Sequence, residues 1–186
     1  MSNAVSRQKQ VFFEEPQGTT MNQRPTLLVS ACLLGQPVRY DGRSKGLPAT
    51  LHDTLAARYR LIVICPEVAG GLPTPRPPAE LQGGDGHAAL RQTATVRSAA
   101  GEDVSAEFIA GAQLALQLAQ QHGCRIALLK ANSPSCGNLQ VYSGRFDAQL
   151  VDGQGVTAAL LSAHGISVYN ETQLDLLLGQ LPESAG

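Results

Sequence analysis

The sequence lacks the features that mark membrane-spanning, secreted and nucleotide-binding proteins. None of its 186 residues belongs to an apolar run long enough to cross a membrane, and the opening stretch, MSNAVSRQKQVFFEEPQG, is too polar for a signal peptide. Neither GxxxxGK followed by Ser or Thr nor GxGxxG after the first strand occurs, which disfavours nucleotide cofactors. A net charge of -1 without a basic tract disfavours a nucleic-acid partner. We therefore expect a soluble, cytoplasmic protein that acts on a small molecule.

Cysteine is also scarce, with four residues in the whole chain. Four are too few for a disulfide scaffold, and in a reducing cytosol cysteines are more often metal ligands, catalysts or core residues. Neither CxxC nor a CxH pair occurs, so a structural zinc site of the usual paired spacing lacks support.

The pattern of apolar residues predicts one α/β domain. Residues 1–24 have no periodic apolar pattern and predict a loose N-terminal extension, whereas residues 25–183 alternate strands with helices. The predicted strands are 26–31, 60–65, 94–97, 125–130 and 166–170, and the predicted helices are about 49–59, 103–122, 155–165 and 171–181, with a short hairpin around 142–146. This alternation predicts a three-layer, Rossmann-like fold with a largely parallel sheet.

One segment interrupts the alternation. PEVAGGLPTPRPPAELQGGDG has so many prolines and glycines that we expect neither regular helix nor central strand there. Long loops in compact domains are usually functional, so this segment is predicted to fold over the site.

Three of the four cysteines follow predicted strands. Cys32 and Cys65 come at the ends of their strands, and Cys136 lies a short loop beyond Lys130. Because ligands bind at the carboxyl ends of parallel strands, we expect these thiols at one edge of the sheet. Cys124 begins a strand, so it is expected at the opposite edge as a small core residue.

Three thiolates from separate loops suit an iron–sulfur cluster in which one iron has no protein ligand. Free cysteines are also among the most commonly buried residues, so a role in packing remains open at this point.

Five ordered motifs resemble a known family: SACLLGxxxRYDG, CPExxGGLPTPRxPxE, GxDVxxxFxxGA, LKxxSPSCG and GxGVTAALL. They cover residues 27 to about 175 and resemble the DUF523 family, whose characterised branch is the thiouracil desulfurases. The resemblance implies a [4Fe-4S] cluster held by Cys32, Cys65 and Cys136, and removal of sulfur from a thiolated pyrimidine. It also implies that Glu67 transfers protons and that Ser133 is a second catalytic residue.

The residue types fit that chemistry, although each also has an ordinary structural role. Sulfur removal needs a soft Lewis acid, water and a general acid or base. If the chain stays extended after Cys65, Glu67 shares a face with it, but Glu67 could equally be a solvated or helix N-terminal carboxylate. Ser133 could bind substrate or simply form a turn.

Three further residues are candidates for binding substrate. Asp41 could orient a ligand or form an Asx-turn. Arg76 could bind a carbonyl or phosphate group, or pair with an acidic neighbour such as Glu80. Lys130 could act likewise or remain solvated. The four histidines, which have no ligand spacing, are predicted at the surface or at helix ends: His52, His87, His122 and His164.

The direction of sulfur flow stays open. A tRNA or nucleoside sulfur-transfer enzyme, or a non-enzymatic iron–sulfur redox sensor, remains an alternative to the desulfurase. A sensor would need neither a substrate pocket nor the side chains of Glu67 and Ser133. The sequence does not choose between a free thiolated base and a nucleoside, and it leaves the oligomeric state open.

Overall fold

A computed structural model describes residues 24–179. Its strands are β1 (Thr26–Ser30), β2 (Arg60–Ile64), β3 (Ala79–Gln82), β4 (Thr95–Ser98), β5 (Ile126–Leu129), β6 (Gln140–Tyr142), β7 (Leu150–Asp152) and β8 (Ser167–Asn170). Its α-helices are α1 (Ala49–Arg58), α2 (Pro66–Ala69), α3 (Gly86–Leu90), α4 (Ser105–Gln121), α5 (Val156–Ala163) and α6 (Leu174–Gly179). A 3-10 turn, Ala31–Leu34, follows β1.

The central sheet is parallel throughout, as the sequence predicts. Its strand order is β2-β1-β5-β8, and each neighbouring pair runs in the same direction. Two small antiparallel sheets, β3 with β4 and β6 with β7, lie outside it. The predicted α/β class is confirmed.

Alternating side chains on the central strands bury both faces of the sheet. Leu27 and Val29 pack with one apolar cluster, whereas Leu28 packs with another. The first cluster includes Leu55 of α1 and Leu177 of α6, and the second includes residues of α4 and α5: Ala115, Ala119, Ala158 and Leu161. Helices therefore cover both faces, which confirms the three-layer arrangement.

The strand order creates a crevice beside β1. The chain leaves β1 through α1 to reach β2 on one side, and later reaches β5 on the other side after α4. Because α1 and α4 pack on opposite faces, the connections diverge at the carboxyl ends of β1 and β5. Doubly wound sheets bind ligands at such a switch point.

The glycine- and proline-rich segment has more regular structure than predicted. It contains α2 and β3, and α3 begins at its last residue. The segment contains no central strand, as predicted, because β3 lies in a two-stranded sheet outside the central one. The prediction that it contains no helix was wrong, because Pro66 stands at the first position of α2, where a missing N–H costs nothing.

The predicted hairpin is present, with its strands at Gln140–Tyr142 and Leu150–Asp152.

Two predictions extend past the described part of the chain. The loose extension falls almost wholly on residues 1–23, and the last predicted helix runs beyond Gly179. Within residues 24–179, no helix has the length and apolar character that crossing a membrane requires.

Candidate functional site

A cavity of about 640 Å³ opens at the carboxyl edge of the central sheet. Its lining includes the three cysteines that follow strands, which are Cys32, Cys65 and Cys136. It also includes Glu67, Arg76, Lys130 and Ser133. The structure thus brings together seven of the eight candidate site residues, and Asp41 alone is absent from this lining.

Cys32 is fixed by the 3-10 turn that ends β1. Its carbonyl oxygen accepts the backbone N–H of Lys45 at 3.0 Å and that of Gly35 at 3.3 Å. The turn is therefore tied to the loop that returns toward α1, and the Cys32 side chain stays buried beside the cavity.

Cys65 and Glu67 are placed by a close contact between two helices. α2 packs on α4 where a side chain at Gly70 would overlap the Glu107 carbonyl and one at Gly111 would overlap the Pro66 carbonyl. The chain does not stay extended after Cys65, because Pro66 starts a helix, and Glu67 is the helix N-terminal carboxylate that was the alternative. Glu67 reaches the cavity from the first turn of that helix.

Cys136 lies in a loop held by the N-terminus of α5. The first helical N–H groups have no partners inside a helix. Here the N–H groups of Gly155, Val156 and Thr157 donate to the carbonyls of the SPSCG loop at 2.8, 2.9 and 2.8 Å. The Ser135 and Thr157 hydroxyls add a buried hydrogen bond of 2.8 Å, so the helix fixes the loop and leaves Ser133 and Cys136 free to face the cavity.

Glu67 sits in a hydrogen-bonded group with two other predicted site residues. Its Oε2 accepts from Arg76 Nε at 2.9 Å and from Arg76 Nη2 at 2.6 Å, and its Oε1 lies 3.3 Å from Ser133 Oγ. Ser133 Oγ accepts the N–H groups of Ser135 and Cys136. The Ser133 hydroxyl proton is therefore left to donate to Glu67, so Ser133 is both a turn residue and a partner of Glu67.

Arg76 is almost fully engaged by the protein. Besides Glu67, its guanidinium donates to the carbonyls of Val38 and Pro73 and to the Thr74 hydroxyl. The proposed pairing of Arg76 with Glu80 was wrong, because the Glu80 carboxylate instead accepts two backbone N–H groups of the β6–β7 turn. The sequence did not predict the contact between Glu67 and Arg76, because the two residues are nine positions apart in a proline-rich segment without periodicity.

The thiols lie close enough to influence one another. Burial raises the pKa of Cys32 to about 11, and the neighbouring Cys65 adds to the rise. Burial likewise raises the pKa values of Cys65 and Cys136, and both other thiols add to the rise at Cys136. Three thiolates here need a bound cationic group to stabilise them.

The arrangement of the thiols fits a cluster better than one ion. Within residues 24–179, no three His, Cys, Asp or Glu side chains are placed to hold a single metal ion. Three soft thiolates from separate loops around one cavity suit a polynuclear iron–sulfur group.

Two residues at this edge were not predicted. Ser30 Oγ accepts the Lys130 N–H at 3.1 Å and lies 3.5 Å from Cys136 Sγ, so its hydroxyl proton points to the sulfur. Glu171 accepts the Ala131 N–H at 2.8 Å and pairs with the Lys130 ammonium. Ser30 could have been found from the sequence, because it begins the SACLLG motif. The pairing of Glu171 with Lys130 could not, because no motif contains both residues.

The remaining candidates lie away from the cavity lining. Asp41 Oδ1 accepts the Arg43 N–H at 3.1 Å, which is the Asx-turn contact. Cys124 is buried just before β5, at the edge opposite the cavity. His122 occupies the C-cap position of α4.

Comparisons with known proteins agree with these observations. Residues 27–173 match the model of the 2-thiouracil desulfurase family. The uncharacterized protein YbbK of Bacillus subtilis (strain 168) is 40% identical over 152 residues, which cover 82% of this chain and 99% of that protein. A solved structure of TudS, a [4Fe-4S]-dependent thiouracil desulfidase (DUF523), is 51% identical with a TM-score of 0.74, covering 84% of this chain and 99% of TudS.

Proposed function

The chain belongs to the 2-thiouracil desulfurase family, and we propose that it removes the sulfur of a thiolated pyrimidine such as 2-thiouracil with a [4Fe-4S] cluster. The products are sulfide and the oxo base. The observation that carries this proposal is the convergence of three free thiols, the Glu67 carboxylate and the Ser133 hydroxyl on one cavity. The residue assignments rest on that geometry together with the family's motifs.

Cys32, Cys65 and Cys136 would hold the cluster and leave one iron without a protein ligand. The chemistry that a bound cluster supplies is soft Lewis acidity toward the sulfur of a thiocarbonyl group. Replacing C=S by C=O consumes one water and releases hydrogen sulfide without a change of oxidation state. The protein must therefore move protons, and no electron donor is required.

Glu67 is the residue suited to move those protons. Its Oε2 is occupied by two N–H groups of Arg76, so Oε1 is the oxygen that takes a proton from the attacking water. Ser133 donates its hydroxyl to the same Oε1 and so orients it toward the cavity. Proton transfer by such a positioned group typically contributes about 10²- to 10⁴-fold to the rate.

Arg76 acts in this proposal by holding Glu67. Its guanidinium joins Glu67 to the Val38 carbonyl, and its backbone N–H donates to the Tyr40 carbonyl, so it connects α2 with the loop after β1. The predicted role of Arg76 as a substrate ligand, and that of Asp41, stay predictions.

The proposed substrate is a small thiolated pyrimidine or its nucleoside, and the proposed compartment is the cytoplasm. The lack of a basic tract supports a small molecule over tRNA as the partner. Neither sulfur transfer to tRNA nor a sensing role has a specific observation in its favour. In a redox sensor, the hydrogen-bonded group of Glu67, Ser133 and Arg76 would have no function.

The test is sulfide release after anaerobic reconstitution with iron and sulfide. We expect the cluster-loaded protein to convert 2-thiouracil to uracil with one sulfide released per base, and the protein without a cluster to be inactive. A cluster-loaded protein that releases no sulfide from 2-thiouracil, 4-thiouracil or their ribonucleosides would refute the proposal.

A further inference from the structure

The exposed aromatic side chains of residues 24–179 all line the same cavity. Tyr40, Tyr142 and Phe146 are 40%, 38% and 40% exposed, and each belongs to the cavity lining. Elsewhere in this range, Tyr59 and Phe108 are buried and Tyr169 is half-buried. Aromatic side chains left exposed around a cavity are typical of a ligand surface.

Two of the three lie on the β6–β7 hairpin, whose turn has an unusual backbone. Phe146 has φ +54° and Ala148 has φ +59°, and both line the cavity. A bulky residue in the left-handed region is a genuine outlier and persists only where its surroundings hold it. Such strain is concentrated at functional sites, so the position of Phe146 calls for a functional reason.

Glu80 holds this turn in place. The Glu80 side chain is buried on β3, and its Oε2 accepts the N–H of Gly144 at 2.9 Å and that of Phe146 at 3.0 Å. Gln82 on the same strand donates to the Gly144 carbonyl at 2.8 Å. At Gly144 the turn approaches β3 so closely that a side chain would overlap the Leu81 carbonyl. The turn is therefore docked on β3 through backbone groups, which leaves its aromatic side chains exposed at the cavity.

We propose that Phe146 and Tyr142 form a stacking platform for the pyrimidine ring of the substrate, and that Glu80 is the positioning residue that holds the platform at the cavity. This inference rests on the proposed function, since it takes the substrate to be a thiolated pyrimidine. A flat heteroaromatic ring stacks on aromatic side chains, and such contacts select for the ring while leaving its edge free to react. The platform thus determines substrate affinity and takes no part in proton transfer.

The first test compares substitutions on one hairpin. Phe146→Leu is expected to raise KM for 2-thiouracil about 10-fold with kcat changed less than about twofold, because stacking is lost while volume is largely kept. Phe146→Tyr keeps an aromatic ring and should retain the wild-type KM. Leu150→Ala is the matched control, because Leu150 is an exposed apolar residue of β7 outside the cavity lining. Equal KM values for wild type and Phe146→Leu in an active enzyme would refute the platform and leave the proposed function standing.

The positioning role of Glu80 requires a readout that a purely structural role would not change. Glu80→Ala leaves two N–H groups without their acceptor, whereas Glu80→Gln keeps an acceptor oxygen, so we expect KM to rise in the first variant and to recover largely in the second. Because Glu80 acts through Phe146, the double variant Glu80→Ala/Phe146→Leu should have the KM of Phe146→Leu alone. Additive effects on KM, or a fall in kcat alone, would refute the positioning role.

A fluorescence measurement of uracil binding tests the platform independently of turnover. The chain has no tryptophan, so Phe146→Trp places a single indole in the platform. We expect uracil to quench its fluorescence in a saturable manner in the cluster-loaded protein. Leu114→Trp places the indole on an exposed site of α4 and should not respond. A uracil response that is absent from the Phe146→Trp variant, or equal in both variants, would overturn the platform whether or not sulfide is released.

Discussion

Cys124 and Cys136 lie beyond opposite ends of β5, and each is 5% exposed, but of the two Cys136 alone lines the cavity. Both also have a pKa raised by burial. Neither the exposed fraction nor the direction of the pKa shift therefore distinguishes them. The two cysteines differ in their position along β5: Cys124 precedes the strand, whereas Cys136 follows it. Cys136 therefore lies at the carboxyl edge of the sheet, where the other two thiols also lie.

The neighbours of the two cysteines differ in the same way. Strand β1 has a hydroxyl residue at each end, with Thr26 beside Cys124 and Ser30 beside Cys136. At the carboxyl edge, the loop of Cys136 is also held by α5 and joined to Glu67 through Ser133. A cysteine whose loop is fixed from several sides suits a rigid ligand site, whereas Cys124 fills space in the core.

Removing the two thiols in turn is the strongest test of this comparison. Cys136→Ala is expected to abolish cluster binding and sulfide release, and Cys32→Ala and Cys65→Ala should do the same. Cys124→Ala should retain both, with a loss of stability of about 1 kcal/mol from the removed volume. Iron and sulfide content after anaerobic reconstitution measures the effect. A Cys136→Ala variant that retains a full cluster would break the distinction between the two edges.

Glu67→Gln tests whether the carboxyl edge is a catalytic site as well as a ligand site. The amide keeps the shape of the side chain but cannot take a proton, so kcat should fall about 10²- to 10⁴-fold with cluster content unchanged. Glu102→Gln changes an exposed glutamate elsewhere and is the control. Unchanged turnover in the Glu67→Gln variant would rule out the assigned role.

Arg76→Lys separates the two roles considered for Arg76. A single ammonium cannot donate to Glu67 through two N–H groups and reach the Val38 carbonyl as well, so Glu67 loses its orientation. We expect kcat to fall between about 10- and 100-fold with little change in KM. Arg97→Lys, at a half-buried arginine outside the cavity lining, is the control. A rise in KM at unchanged kcat would instead favour the predicted contact with substrate.

The sequence was sufficient for the position of the three thiols but not for the contacts among the side chains. Apolar strands bounded by turn residues determine both the parallel sheet and its carboxyl edge, because burying both faces of a sheet leaves few alternatives. The Glu67–Arg76 pair was missed because it depends on the path of a proline-rich segment that has no period. Glu80 was assigned to the wrong partner because its contacts with Gly144 and Phe146 join residues more than sixty positions apart.

The two hydroxyl residues of β1 allow a finer test. Ser30→Ala removes the hydrogen bond to Cys136 and the acceptor for the Lys130 N–H, so a chelator should remove iron up to about tenfold faster. Thr26→Val makes the corresponding change beside Cys124 and should leave the rate at its wild-type value. Equal rates in the two variants would show that the hydroxyl at the carboxyl edge has no special part in holding the ligand.

Asp41 tests whether a place in a loop at the carboxyl edge is enough to make a residue functional. It follows β1 in the same loop as Tyr40, yet its carboxylate binds the Arg43 N–H and lies outside the cavity lining. Asn supports the same Asx-turn, so Asp41→Asn should change KM and kcat by less than about twofold. Asp41→Ala loses the turn contact and should cost at most about 1 kcal/mol of stability, measured by denaturant unfolding. A large rise in KM for Asp41→Asn would mean that the loop carries this carboxylate to the substrate. In that case the site would extend to loop residues near the carboxyl edge of the sheet, beyond the three thiols, Glu67 and Ser133 that line the cavity.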